Sequence, residues 1–153
     1  MVLSVSKFGF VNFNYTLFIM FLQPKKSKYK KIRKGTLPKL TYKSNKLEFG
    51  TIGLKSLESG TISARQLEAA RQSITRKIER KGKLWVRIFP SLPITSKPNE
   101  VRMGKGKGPV SHWGVKIGGG CILFELCGIN KNVAMAAFKT GGAKLPIKTA
   151  IFE

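Results

Sequence analysis

The chain has 153 residues, with 29 Lys and Arg against 7 acids, for a formal net charge of +22. All seven acids are glutamates and histidine occurs once, at His112, so a carboxylate-rich metal cage, an aspartic dyad and a Ser-His-Asp triad lack their parts. An apolar fraction of 42% can build a core at a length that fits one compact domain, but that charge repels itself until a polyanion settles against it.

Residues 1–23 carry one charge, Lys7, among Phe8, Phe10, Val11, Phe13, Tyr15, Leu17, Phe18, Ile19, Phe21 and Leu22. Ser4, Ser6, Asn12, Asn14 and Thr16 interrupt the run expected of a membrane span. Gln23-Pro24-Lys25 is no small-residue cleavage site, and the segment has none of the arginines of a transit peptide. The segment reads as an extension that packs on a neighbouring protein, with a membrane contact as the minor alternative.

Residues 24–46 reverse that character. Lys25, Lys26, Lys28, Lys30, Lys31, Arg33, Lys34, Lys39, Lys43 and Lys46 occur with no acid before Glu48, and Tyr29 and Tyr42 are interleaved. Such a block cannot bury enough apolar surface to fold alone. It reads as an extended basic arm that threads between phosphates.

Residues 47–153 carry the signals of an α+β domain. Leu47 to Leu54 alternates loosely around Gly50 and Gly53, as a strand with a bulge or a close backbone approach would. Ser63 followed three residues later by Gln66 is a capping-box pair at a helix start. Leu67, Ala70, Ile74 and Ile78 recur at spacings of three and four and predict a buried stripe, with Gly82 as the left-handed stop. Arg65, Arg76 and Arg80 fall opposite that stripe, and Arg71 flanks it.

Leu84 to Phe89 reads as a strand with Leu84, Val86 and Ile88 on one face and Trp85, Arg87 and Phe89 on the other. Pro90, Pro93 and Pro98 predict an extended loop. His112–Ile117 and Cys121–Leu126, joined by Gly118-Gly119-Gly120, predict a β-hairpin. Asn130 to Thr140 predicts a second helix ended by Gly141-Gly142, and Ile147 to Phe152 a closing strand. The expected architecture is α+β, a mixed or antiparallel sheet with two helices packed on one face, plus the basic arm. Cys121 and Cys127 read as small core residues in a reducing compartment, with no further ligands for zinc.

Between Arg102 and Gly108 the chain reads Arg102-Met103-Gly104-Lys105-Gly106-Lys107-Gly108. Alternating Gly and Lys lets backbone approach a phosphate chain while ammonium groups bind it. It is no Walker loop, since the required four-residue gap is absent and no aspartate exists to bind magnesium.

This segment stands in a longer ordered set. Pro24-Lys-Lys-Ser-Lys-Tyr29, Ser63-Ala-Arg-Gln-Leu-Glu-Ala-Ala-Arg71, Gly82-Lys-Leu-Trp-Val-Arg-Ile-Phe-Pro90, Pro93-Ile-Thr-Ser-Lys-Pro98, the 102–108 loop and Ala143-Lys-Leu-Pro-Ile-Lys-Thr149 occur in sequence. Together they resemble the large-subunit ribosomal protein L-sixteen family of bacteria and organelles, over residues 20 to 153. The resemblance implies a constituent of the large ribosomal subunit beside the aminoacyl-tRNA site. Large-subunit rRNA would be held by the arm (Lys25, Lys26, Lys28, Lys30, Lys31, Arg33, Lys34) and the helix face (Arg65, Arg71, Arg76, Arg80). The loop Arg102, Met103, Gly104, Lys105, Gly106, Lys107 and Gly108 would face aminoacyl-site tRNA and the peptidyl-transferase region. Neighbouring ribosomal proteins are expected partners of residues 1–23, and no small-molecule substrate, cofactor, metal or catalytic side chain is expected.

The excess of Lys over Arg, with frequent Ile, Asn and Phe, suggests an AT-rich organelle genome. A mitochondrial, organelle-encoded protein is expected ahead of a plastid or bacterial cytoplasmic one. The charge alone would also suit a nucleic-acid chaperone outside the ribosome.

Overall fold

The computed structural model describes residues 22–153. The apolar extension assigned to 1–23 therefore lies outside the described residues except for Leu22 and Gln23, and Leu22 packs against the core.

Among the described residues, seven strands and two helices follow the arm: β1 (Ile52–Ser56), β2 (Gly60–Ser63), α1 (Ala64–Lys77), β3 (Lys83–Val86), β4 (Leu92–Thr95), β5 (Val110–Ile117), β6 (Ile122–Cys127), α2 (Lys131–Gly142) and β7 (Thr149–Phe152). The α+β class holds, but the strands divide between two antiparallel sheets, ordered β3-β6-β1-β7 and β2-β5-β4. The helices pack on each other, α1 against β2 and β5 and α2 against β1 and β7. Leu54, Ile62, Leu67, Ile74, Phe124 and Phe138 are fully buried at the centre of a cluster that both sheets and both helices share.

The predicted hairpin between β5 and β6 does not form. Both strands pair instead with the run from β1 into β2, and the register carries across the break. Lys55 faces Ile122 and Gly60 faces Ile117, five residues later on one side and five earlier on the other. Gly118–Gly120 is thus a joint between sheets rather than a hairpin turn. Ser56 Oγ donates to the carbonyls of Gly118 (2.8 Å) and Cys121 (3.2 Å), and Leu40 bridges Gly119. A Cβ at Gly118 would lie 2.5 Å from Thr41 Oγ1, so the glycine is needed for the close approach of the arm.

Helix α1 begins as the sequence indicates. Gln66 N donates to Ser63 Oγ (3.3 Å) and Ser63 N donates to Gln66 Oε1 (2.9 Å). Its end differs. Glu79 N donates to the Arg76 carbonyl and Arg80 N to the Thr75 carbonyl, the paired bonds of a Schellman cap. Glu79 and Arg80 take the left-handed positions (φ 54° and 61°), so the helix stops before Gly82.

Gly141 and Gly142 do not stop α2 either, because both are helical. A Cβ on Gly141 would meet Ile74 Cγ1 at 2.4 Å, so Gly141 sets how closely the helices approach.

The proline segment holds a strand that the sequence reading missed. Pro93 sits in β4, at the edge of the three-stranded sheet, where a missing amide costs no ladder bond. Gly50 and Gly53 mark close approaches, since a Cβ would lie 2.7 Å from the Leu126 carbonyl and 2.6 Å from Leu47 Cδ2, whereas the register shift falls at Leu54/Lys55 and the strand runs 52–56 rather than 47–54.

Candidate nucleic-acid interface

Lys25, Lys26, Lys28, Lys30, Lys31, Arg33 and Lys34 are all exposed in an arm without helix or ladder before Leu40. The arm is tied to the body by lysines. Lys31 Nζ donates to the Lys107 carbonyl (2.8 Å), and Lys107 Nζ donates back to the Ile32 carbonyl (2.5 Å). Lys116 Nζ donates to the Thr36 carbonyl (3.1 Å). The arm and the Gly-Lys loop, 75 residues apart in sequence, therefore form one cationic surface.

Arg102, Met103, Gly104, Lys105, Gly106 and Lys107 are exposed, and Met103 is 96% accessible. Gly104, Lys105 and Gly106 take successive positive φ values of 98°, 52° and 81°. Nothing lies within 4 Å of a Cβ placed on Gly104 or Gly106, so these glycines serve the backbone path rather than a crowded neighbour. Gly108 is different, since a Cβ there would lie 2.6 Å from the Ser96 carbonyl. Lys97 Nζ donates to the Gly104 carbonyl and ties the loop to the segment after β4.

The four arginines assigned to the helix face do not share one role. Arg71, Arg76 and Arg80 line a shallow groove with Gln72, Thr75 and Glu79. Arg65 lies apart, in a recess with Gln23, Val110, Ser111, His112 and Trp113. Arg76 and Arg80 are exposed, whereas Arg71 grips the buried Glu68 through Nε–Oε2 (2.9 Å) and Nη2–Oε1 (2.7 Å). The Glu68 hydrogen bond raises the Arg71 pKa against the opposing effect of burial. Gln72 Nε2 completes Glu68's shell at 2.9 Å. Arg71 is thus first a counter-ion for a buried carboxylate, which the (i, i+3) spacing of the two residues could have signalled.

The sequence reading also missed the outer face of the four-stranded sheet. Glu125, with no exposed surface, accepts from the amides of Phe49 (2.7 Å), Gly50 (2.8 Å) and Glu48 (3.3 Å) and from Arg87 Nη1 (2.5 Å). Burial alone would raise its pKa, but these donors outweigh burial and hold the carboxyl below its ordinary value. Arg87 Nη2 also pairs with Glu48 at 2.9 Å. Gly50 must be glycine for this cap to close, because a Cβ would lie 2.7 Å from the Leu126 carbonyl and 2.9 Å from Glu125 Cβ. Only a carboxylate within a buried strand hinted at this site, since its amide partners lie 75 to 77 residues away.

Among the described residues, six of the seven glutamates are engaged in ion pairs with body cations, which leaves the arm and loop cations without a carboxylate. Scaffold and surface together define a small α+β protein whose surplus cations face outward, as in a polyanion binder.

Comparison with known proteins gives the particular family. The chain belongs to the ribosomal protein L16p/L10e family, whose family model matches residues 24–152. The large ribosomal subunit protein uL16 of Psychrobacter cryohalolentis is 55% identical over 132 residues, covering 86% of this chain and 96% of its own length. Its counterparts in Psychrobacter arcticus and Bartonella henselae are 54% and 51% identical over the same shares.

Proposed function

We propose that the chain is a structural constituent of the large ribosomal subunit that binds large-subunit rRNA and helps position aminoacyl-site tRNA near the peptidyl-transferase region. The observation that carries the reading is the family match across residues 24–152. Arm residues 25–34, together with Arg65, Arg76 and Arg80, supply phosphate contacts that give affinity without reading sequence. Arg71 joins them from the groove it shares with Arg76 and Arg80, while holding Glu68. The 102–108 loop, which projects Met103 and Lys105 into solvent, is the part offered to tRNA. The chemistry of peptide transfer is left to RNA, and the protein's contribution is position and charge.

Residues 1–23 serve contacts to neighbouring ribosomal proteins in this reading. The ribosome is a mitochondrial one, as the Lys-rich, Arg-poor composition favours, although the relatives named above are of bacterial type.

Sedimentation tests the reading. A tagged chain expressed in its own cells is expected to travel with large subunits from the mitochondrial fraction. Recovery in the free soluble fraction, away from large subunits, overturns the ribosomal assignment. Recovery with cytoplasmic or plastid large subunits overturns only the compartment.

A further inference from the structure

We propose that Phe49 and Trp85 form a stacking platform for an unpaired nucleobase of single-stranded RNA, a binding site distinct from the basic arm, helix face and Gly-Lys loop. The inference rests on the RNA-binding reading above and adds to it a ligand class and two residues. The rings are stacked, with centroids 6.0 Å apart and planes at 19°. Phe49 is 56% exposed although its backbone is tied to the sheet. Its amide is gripped by Glu125 at 2.7 Å, and the next residue, Gly50, is gripped by the same oxygen at 2.8 Å.

An exposed aromatic on a loop would ordinarily be free to fold down onto apolar surface, and a single exposed side chain needs no explanation. Here the ring rests on Trp85 while more than half of the residue stays in solvent, so the aromatic pair stands assembled before RNA arrives. Cations complete the site. Arg87 Cζ lies 5.1 Å from the Phe49 centroid and Lys83 Nζ lies 5.2 Å from the Trp85 centroid. Arg87 is committed to Glu48 and Glu125, so its role is to hold the ring, whereas exposed Lys83 is available to a phosphate beside a stacked base. The platform also continues the basic arm, since Lys46 stands three residues before Phe49. RNA that follows the arm is thereby delivered to the rings, and aromatic faces take splayed bases while tolerating any sequence.

The test uses the purified full chain, a labelled short oligoadenylate and an abasic strand with the same number of phosphates. Wild type is expected to bind the strand with bases about 5- to 140-fold more tightly, the range of one stacked base. Phe49→Leu keeps the backbone amide on Glu125 and an apolar side chain beside Arg87, and is expected to abolish that preference while leaving the salt dependence unchanged. Phe49→Tyr is expected to retain it. An unchanged preference in a folded Phe49→Leu protein, or its loss in Phe49→Tyr, overturns the platform and reduces Phe49 to a cover for the ion pair. Absence of any preference in wild type also overturns it. In either case co-sedimentation with large subunits is decided separately, so the two readings fail independently.

Discussion

At the outer face of the four-stranded sheet, Glu125 collects three backbone amides and one guanidinium, and that guanidinium is shared with Glu48. At the arm and Gly-Lys loop, lysine ammonium groups donate to the carbonyls of Lys107, Ile32, Thr36 and Gly104. None of the ion pairs among the described residues includes a cation of that arm or loop. The first region removes a charge from water and must match it completely, because a buried ion without partners costs several kcal/mol. The second keeps its charges wet. An ammonium bonded to a carbonyl is oriented but still positive, so its field reaches outward. One arrangement stabilises a fold and the other leaves attraction in store for a polyanion.

The largest effect should come from the first region. Glu125→Gln leaves Arg87 with one exposed partner and is expected to cost about 3–5 kcal/mol, read from denaturant unfolding. The deficit should depend on pH. The folded-state pKa of Glu125 is depressed, so its contribution is fully present above the unfolded carboxylate value of about 4.3 and is lost as pH falls through the lower folded value. Melting curves of wild type and Glu125→Gln should therefore converge in acid. A gap that persists unchanged well below about pH 4 would show that the cap works by shape alone.

Next comes the helix packing. Gly141→Ala adds a methyl group 2.4 Å from Ile74 Cγ1 and should destabilise by about 1–3 kcal/mol, reduced by the better helix propensity of alanine. Pairing it with Ile74→Val should recover part of the loss, and failure to do so would place the strain elsewhere.

The arginines of α1 and its cap allow both kinds of charge to be compared along one helix. Arg71→Ala strips a buried carboxylate of its bidentate partner and should lower stability by about 1–3 kcal/mol. Arg76→Ala removes an exposed cation and should change stability by no more than about 0.5 kcal/mol. It should instead lower the salt slope of RNA binding by roughly 0.7–0.9 for each phosphate no longer neutralised. If Arg76→Ala unfolds the protein, or Arg71→Ala affects RNA binding alone, the division between the two residues is wrong.

What the sequence disclosed follows the range over which each signal acts. Ser63 and Gln66 are three residues apart and their reciprocal bonds close within one turn, so the helix start was legible. The buried stripe at Leu67, Ala70, Ile74 and Ile78 was legible for the same reason. The glycines misled because one local property serves several ends. Gly118–Gly120 resembles a hairpin turn until the run from β1 into β2 takes both partners. Gly141 resembles a helix stop until Ile74 arrives against it. Arg87 was placed on the correct strand face, but the carboxylate awaiting it lies 38 residues on, at a register that no local pattern sets. Within the candidate interface, the exposure of the arm and loop was readable from charge and glycine content. The lacing of Lys31 to Lys107 was not, because a lysine bonded to a carbonyl leaves no mark of pairing in a sequence.

That lacing gives the smallest expected effect on stability and the sharpest separation of arm from loop. Lys107 both donates to the Ile32 carbonyl and offers its own carbonyl to Lys31, whereas Lys105 points into solvent two residues earlier. Lys105→Ala should leave subunit assembly and melting temperature unchanged and slow aminoacyl-tRNA accommodation through its missing charge alone. Lys107→Ala removes the same charge and one of the two ties, so its defect should be the larger in accommodation assays on purified ribosomes. Lys107→Arg, which restores charge with a different reach, should recover the part due to charge and leave the part due to tethering. Equal defects in Lys105→Ala and Lys107→Ala would mean that the ties do not position the loop once RNA is bound. Loss of incorporation into subunits by either variant would move the loop from the tRNA side of the interface to the side that holds the protein in place.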